Sequence, residues 1–511
     1  MCDASTRPRN SEARILSVPN TTLLNSWNPF STHVQRTRAI GQHFMSTTAA
    51  EASFRPTVLF ESNNSLRTYT LNRPQKLNAL DEPTLKLLRP KIEEWNSSDL
   101  CGTIVGTGSG RAFCAGGDVA TIVQNAANEK TRPLAVDFFK QEFELDYILA
   151  ALKKPYVAIL DGITMGGGVG LSAGAPFRIA TEKTVFAMPE TKIGYCPDVG
   201  GTYYLSRLDG ELGTYLGLTG DILTGRAVFE HGLATHYIPS RRIPLLLQRL
   251  AELDQPSLSL IDQTIEELSS EREPNEPRSS FIGATRAALD SAFRHDEIEK
   301  ILFDLTELGK HPEESISTWA SGALAQLEER SPTSLKVALT AIRKGKKLTL
   351  RDAFEQEMNI AGAFCRGASP DFQTGVNTVL VEKSRARPAW FPSTLSEVSK
   401  DTVSLFFDPE SPYLKGLPQL DIPSAFEPVT GPRHLKYALP TEDEIGEAVR
   451  GSHANASGMG ATAEEIVQLF ERLRPGKNGV REKVEEVLRR KCTLVDNADG
   501  NFVWVKWIHD Q

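Results

Sequence analysis

The sequence predicts a layered α/β fold followed by a helical lobe and a small terminal α+β module. Strand–loop–helix units recur between Thr57 and Gly201, the rhythm of an α/β sheet covered by helices. Two glycine-rich turns, FCAGGD and TMGGGVG, each end a strand and open a helix, and loops of that kind are where such folds place ligands. Past Gly201 the apolar periodicity becomes mainly helical. At 511 residues the chain is too long for one ordinary domain.

Composition narrows the classes. With 40% hydrophobic and 24% charged residues the chain is an ordinary globular one, and no apolar run reaches bilayer-spanning length, so no membrane partner is expected. A net charge of −8 argues against a surface that coats nucleic acid. The six cysteines are scattered without a CxxC pair, which fits a reducing compartment and no structural zinc.

In chain order, residues 1–48 carry Arg7, Arg9, Arg14, Arg36 and Arg38, no lysine, many Ser and Thr, and only Asp3 and Glu12 as acids. That is the pattern of a mitochondrial transit peptide, so a mitochondrial matrix location is expected. Residues 55–250 form the expected core. Its first strands, TVLFES and SLRTYTLN, turn at Asn63-Asn64, and a helix follows from about Glu82 to Trp95. Residues 251–390 are the helical lobe. Residues 391–436 are Pro-rich with little periodicity and read as a linker or a segment wrapped on another surface. Residues 437–511 form the small α+β module, with capping boxes at Thr441/Glu444 and Thr462/Glu465 and a hairpin turning at Asp499-Gly500. Its Arg472, Arg474, Lys477, Arg481, Lys483, Arg489, Arg490 and Lys491 could contact RNA or an acidic partner, but interleaved glutamates favour a solvated face equally.

The chemistry centres on 151–201. Tyr156–Leu160 reads as a strand, Gly166-Gly167-Gly168 as the turn into a small-residue helix, and the loop beyond carries Glu190 and Asp198. Amides at a helix start have no internal partner and sit at the positive end of the dipole. Gly117 N–H and Gly167 N–H are the pair expected to hold an acyl oxyanion. There is no P-loop, and the one G-x-S-x-G string, Gly170–Gly174, falls within the expected small-residue helix and not at a strand-to-helix elbow. Cys114 and Cys196 lie next to this region, and His231, His236, His295 and His311 show no ligand spacing, so no metal is expected.

FCAGGD, GGGVG, RPQKLNAL and AMPET…PDVGG resemble the crotonase (enoyl-CoA hydratase/isomerase) superfamily, from about Thr57 to Trp390. Within it, ITMGGGVGLS, FAMPETKIGYCPDVGG, LTGRAVFEHGLATHYI and SPTSLKVAL resemble the 3-hydroxyisobutyryl-CoA hydrolase branch. The resemblance implies a spiral of ββα units and an acyl-CoA substrate whose thioester carbonyl lies between the two turns, with no cofactor beyond the CoA of the substrate. It implies Glu190 as the reacting carboxylate, Asp198 as its partner, and Glu142 near the acyl end. It also implies CoA contacts at Lys76, Ala115 and Asp118, whereas the usual lysine after FCAGGD is Ala120 here. A hydratase carries a second glutamate where this chain has Gly170, which demotes hydration. Glu190 either attacks the thioester or activates a water. Fungal relatives of this branch belong to the mitochondrial small ribosomal subunit, so the resemblance also raises a structural role there through residues 391–511. Homo-oligomerisation is left open.

Overall fold

The fold starts from a short antiparallel hairpin, β1 (Val58–Asn63) and β2 (Leu66–Leu71), closed through Asn64 at φ 50°. The structure, a computed structural model, describes residues 56–426, 429–455, 460–496 and 503–508. The expected transit segment and the Asp499-Gly500 turn lie outside those residues.

Three strand pairs follow in order. β3 (Thr103–Gly108) leads to β4 (Ala112–Cys114), β5 (Tyr156–Leu160) to β6 (Ile163–Met165), and β7 (Phe177–Ala180) to β8 (Val185–Ala187). The first member of each pair joins one sheet and the second joins another. With β9 (Leu223–Thr224) and β10 (His236–Tyr237), the sheets run β1-β2-β3-β5-β7-β10 and β4-β6-β8-β9. The pairings β2–β3, β3–β5, β5–β7 and β7–β10 are all parallel. β5 lies mid-sheet, and every residue of its run YVAIL is buried, as expected of a strand covered on both faces.

This winding positions the site. β4, β6 and β8 run parallel and side by side, so the turns that leave their C-terminal ends emerge along one edge. Those turns are Ala115–Asp118, Gly166–Gly167 and the 3₁₀ turn Glu190–Ile193. The helix Glu82–Ser97 packs nearby; Asp81 caps it by accepting from Thr84 N–H at 3.0 Å, and Leu85, Leu88, Ile92 and Trp95 form its buried stripe. Two long helices close the site from behind. Arg132–Ala150 presents Phe143 and Tyr147 to Phe354 of Leu350–Cys365, with ring centroids 5.8 and 6.2 Å apart.

The described residues of 391–436 lie along the core. Phe406 packs on Phe364 at 4.7 Å, and Arg366 donates to the carbonyls of Tyr413 and Lys415 at 3.0 and 2.7 Å. Asp421 N–H donates to Glu144 at 2.6 Å, and Arg178 donates to the His434 carbonyl at 2.8 Å. The tail then forms helices Glu442–Val449, Ala463–Leu473 and Val480–Lys491 and the antiparallel pair β11 (Cys492–Asp496) and β12 (Val503–Trp507). Both expected capping boxes form. Pro56–Gln511 clusters as one compact unit. Most of the tail's basic charge is used internally. Lys477 pairs with Glu266 at 2.8 Å, Lys483 with Asp209 at 2.6 Å, and Arg490 with Glu442 at 2.8 Å. Arg474 pairs with Glu444 and Arg481 with Glu464, each at 2.9 Å, and Lys491 with Glu442 at 3.1 Å.

Candidate active site

The two glycine turns meet. A Cβ built on Gly116, which has φ 109°, would lie 3.8 Å from Gly167 N; one built on Gly166, which has φ 48°, would lie 3.3 Å from Gly116 Cα. Both conformations favour glycine, and a side chain on Gly166 would also press on Glu190 and the first turn. Leu80 crosses this junction as an isolated strand bridge: its N–H donates to Gly116 C=O and its C=O accepts from Asp118 N–H, each at 2.8 Å. That pattern leaves the Gly117 amide out of the bridge. Gly167 opens the helix Gly167–Ala173, so its amide has no acceptor within that helix.

Four carboxylates surround the junction. Glu190 Oε1 lies 3.3 Å from where a Gly166 Cβ would be, and a Cβ on Gly167 would overlap Glu142 Oε1. A Cβ on Gly170 would overlap Asp146 Oδ2 and come within 2.7 Å of Val199 Cβ, so Asp146 and the loop carrying Asp198 both pack against that bare backbone. Glu142, Asp146, Glu190 and Asp198 are all buried. Glu142 Oε1, Glu190 Oε2 and both Asp146 oxygens have no hydrogen-bond partner. Burial pushes the Glu190 carboxyl up to about 8, with the charges of Glu142 and Glu357 adding to it. Glu142 is raised by burial, and Asp146 and Asp198 rise well above the usual range by burial together with the neighbouring acids. Such a group of acids titrates jointly, and not all of them ionise at neutral pH.

Two contributors were not read from the sequence. Glu357, on the helix Leu350–Cys365, accepts from Gly200 N–H at 2.6 Å, Thr202 N–H at 2.9 Å and Thr202 Oγ1 at 2.6 Å. It fixes the loop in which Val199, a β-branched residue beside Asp198, adopts φ 55°. That conformation is costly for valine and persists only where its surroundings enforce it. Glu357 is itself raised to about 7 by burial. Asp146 is the other. Its only sequence signal was its place one helical turn after Glu142, which puts both on one face.

The CoA-loop residues fall on neighbouring turns. Lys76 is exposed at the end of the 3₁₀ turn Pro74–Lys76, and Ala115 N–H donates to Leu77 C=O at 3.0 Å. Asp118 lies 3.7 Å from Arg73, which also pairs with Asp81 at 3.1 Å. A cleft of about 70 Å³ beside them is lined by Asp81, Glu82, Asp118, Asp137 and Phe138 among others. Phe138 Cε1 would be 3.3 Å from a Cβ on Gly117, so this ring covers the first turn. Cys114 and Cys196 are buried and their thiols are pushed up, Cys114 to about 12, which removes them as nucleophiles. His236 does gather potential ligands that the sequence did not reveal. Its Nε2 lies 3.1 Å from Asp262 and 3.2 Å from Glu266, with the Lys477 ammonium on Glu266 balancing the acids.

Residues 66–407 match the family model described as enoyl-CoA hydratase/isomerase. The chain belongs to that family. The small ribosomal subunit protein mS47 of Neurospora crassa is 40% identical over 481 residues, covering 89% of this chain and 91% of that protein. The mitochondrial 3-hydroxyisobutyryl-CoA hydrolase of Gallus gallus is 38% identical over 400 residues, covering 78% and 97%. Among solved structures, a carnitinyl-CoA dehydratase from Mycobacterium thermoresistibile matches with a TM-score of 0.63 and 32% identity, over 70% of this chain and 98% of that one. The family and the ββα spiral anticipated from the motifs are both found.

Proposed function

We propose that this chain is a mitochondrial acyl-CoA thioesterase that hydrolyses 3-hydroxyisobutyryl-CoA, with 3-hydroxypropionyl-CoA as a second substrate. The observation that carries the reading is the placement of Glu190 against Gly166, next to the Gly167 amide, opposite a Gly170 that bears no acid. Asp146, from the neighbouring helix, is the acid that stands beside Gly170, and the hydration assay below tests whether it acts as a second acid. The family comparison supports the same choice, since relatives named as the hydrolase are 36–38% identical.

In this reading Gly117 and Gly167 N–H hold the thioester oxygen as it becomes an oxyanion, each donor worth a few kcal/mol of barrier. Ionised Glu190 takes a proton from water, and the resulting hydroxyl adds to the carbonyl carbon. The C–S bond then breaks and the CoA sulfur leaves with the proton that Glu190 took up. The alternative has Glu190 attack the carbon itself to give an anhydride, which water then opens. Single turnover in ¹⁸O-water tests for the anhydride: label on the Glu190 carboxyl shows that water opened an anhydride at that carbon. Asp198 and Glu142 hold the 3-hydroxyl and the water.

The test is thiol release across a short acyl-CoA panel, with hydration of crotonyl-CoA followed in parallel. Rapid thiol release from 3-hydroxyisobutyryl-CoA without hydration supports the proposal. Hydration without thiol release, or no thiol release from any member, overturns it.

A second role fits alongside. The match to the ribosomal protein covers 89% of this chain, against 78% for the chicken hydrolase, which favours a small-subunit association through residues 391–511. Co-sedimentation of the protein with mitochondrial small subunits supports this role, and its absence from those fractions removes it.

A further inference from the structure

The helix Arg132–Ala150 carries acids on two of its sides. Glu142 and Asp146, one turn apart, meet the bare backbone of Gly167 and Gly170, where a Cβ would overlap Glu142 Oε1 and Asp146 Oδ2. Glu144 comes between them in sequence, and at about 100° per residue it leaves the helix on nearly the opposite side. It is 1% exposed. Arg89 and Lys140 pair with it there, and Asp421 N–H donates to its Oε1 at 2.6 Å. Arg89 also donates to the Asp421 carbonyl at 3.1 Å, so the N–H and the C=O of Asp421 are both tied to one ion pair.

The chain just ahead of Asp421 holds a second helix. Leu350–Cys365 carries Glu357, which accepts from Gly200 N–H and Thr202 N–H in the loop that carries Asp198. Arg366, at the end of that helix, donates to the carbonyls of Tyr413 and Lys415 at 3.0 and 2.7 Å. Leu417 sits so close on Gly362 that a Cβ there would overlap its side chain, and Leu414 and Leu420 on either side are buried. The two helices also pack on each other through Phe143, Tyr147 and Phe354. Residues 413–421 therefore fasten both acid-bearing helices, and they lie past residue 407, where the family match ends. We propose that residues 413–421 form a strap that positions Glu142, Asp146 and Glu357 for thioester hydrolysis, with Glu144 and Arg366 as the positioning residues through which it acts. The proposal rests on the thioesterase reading and gives the chain beyond residue 407 a part in it. Glu144 and Arg366 act on the site only through the helices they hold, and a misplacement of about 1 Å at a reacting group costs up to about 10²-fold in rate.

The experiment is steady-state cleavage of 3-hydroxyisobutyryl-CoA by the full chain, well below its melting range, with melting curves taken in parallel. Asp421→Pro deletes the N–H that Glu144 accepts from, and Asp421→Ala keeps it. Asp421→Pro is expected to lower kcat about tenfold with KM within about twofold, and Asp421→Ala to match wild type. Leu417→Ala loosens the contact on Gly362 without touching the backbone, and kcat is expected to fall about threefold. It carries the test alone if the proline variant does not fold. In Glu144→Ala the acceptor is gone, so adding Asp421→Pro lowers kcat no further. A lower melting temperature with unmoved kcat, in Leu417→Ala and in a folded Asp421→Pro, marks the strap as stabilising only and overturns the proposal. If wild type releases no thiol, the thioesterase reading falls and this one falls with it. If wild type is active and kcat is unmoved in these variants, this one alone is lost.

Discussion

Two regions of this molecule draw acids out of water and treat them in opposite ways. At the glycine junction, Glu142 is raised by burial, and Asp146, Glu190 and Asp198 are raised by burial together with neighbouring acids. Where the C-terminal module meets the core, Asp209, Glu266 and Glu442 are also desolvated, yet all three are lowered. Lys483 holds Asp209 down, and Arg490 with Lys491 holds Glu442 down. His236 and Lys477 hold Glu266 at about 2. Burial sets the cost of charge, and the partner decides whether the protein keeps the charge or the proton. The paired region fastens the tail to the core; the unpaired one keeps protons available for chemistry.

The largest expected effect breaks the unpaired side. Glu190→Gln is expected to lower turnover by about 10⁴-fold, as for loss of a nucleophile or general base. It is also expected to raise stability, unevenly with pH. The Glu190 pKa is near 8 in the fold and near its ordinary 4.5 in the unfolded chain, so its favourable contribution is complete below about 4.5 and lost as pH rises through 8. Melting curves should therefore show a larger gain for the variant at pH 9 than at pH 5.

Breaking the paired side should do the reverse. Arg490→Met leaves Glu442, Glu486 and Asp290 short of a buried cation and is expected to cost about 3–5 kcal/mol in denaturant unfolding, with kcat at 25 °C nearly unchanged. A smaller effect comes from Glu357→Gln, which weakens the anchor on Gly200 and Thr202 that holds Val199 and Asp198. Here kcat is expected to fall about tenfold with little change in KM, read by steady-state kinetics. The smallest is Lys477→Met. Glu266 contributes stability that is present above about 4.5 and lost as pH falls toward 2. Removing its ammonium partner should flatten the drop in melting temperature between those pH values.

The local pieces of the site were legible in the sequence because glycine is chemically explicit. FCAGGD and TMGGGVG announced bare amides at helix starts, and the family resemblance marked Gly170 as the place of a missing acid. The layered α/β class followed from the strand–loop–helix rhythm, and the capping boxes at Thr441 and Thr462 marked helix starts that did form. What was not legible depended on contacts far apart in the chain. Glu357 reaches Gly200 across 157 positions, and nothing local distinguishes it from a helix-surface acid. Asp146 became meaningful only once its helix was seen against Gly170. The tail's basic residues left RNA, an acidic partner and a solvated face equally open because partners such as Asp209 and Glu266 lie more than two hundred residues earlier.

The central claim is that Glu190, poised at two converging amides, cleaves a thioester. Thiol release from 3-hydroxyisobutyryl-CoA by wild type and by Glu190→Gln, across pH 6 to 10, tests it most directly. The account predicts a wild-type rate that climbs through about pH 8 as Glu190 ionises, and a folded Glu190→Gln variant that is inactive at every pH. A Glu190→Gln variant that matches wild type would contradict it.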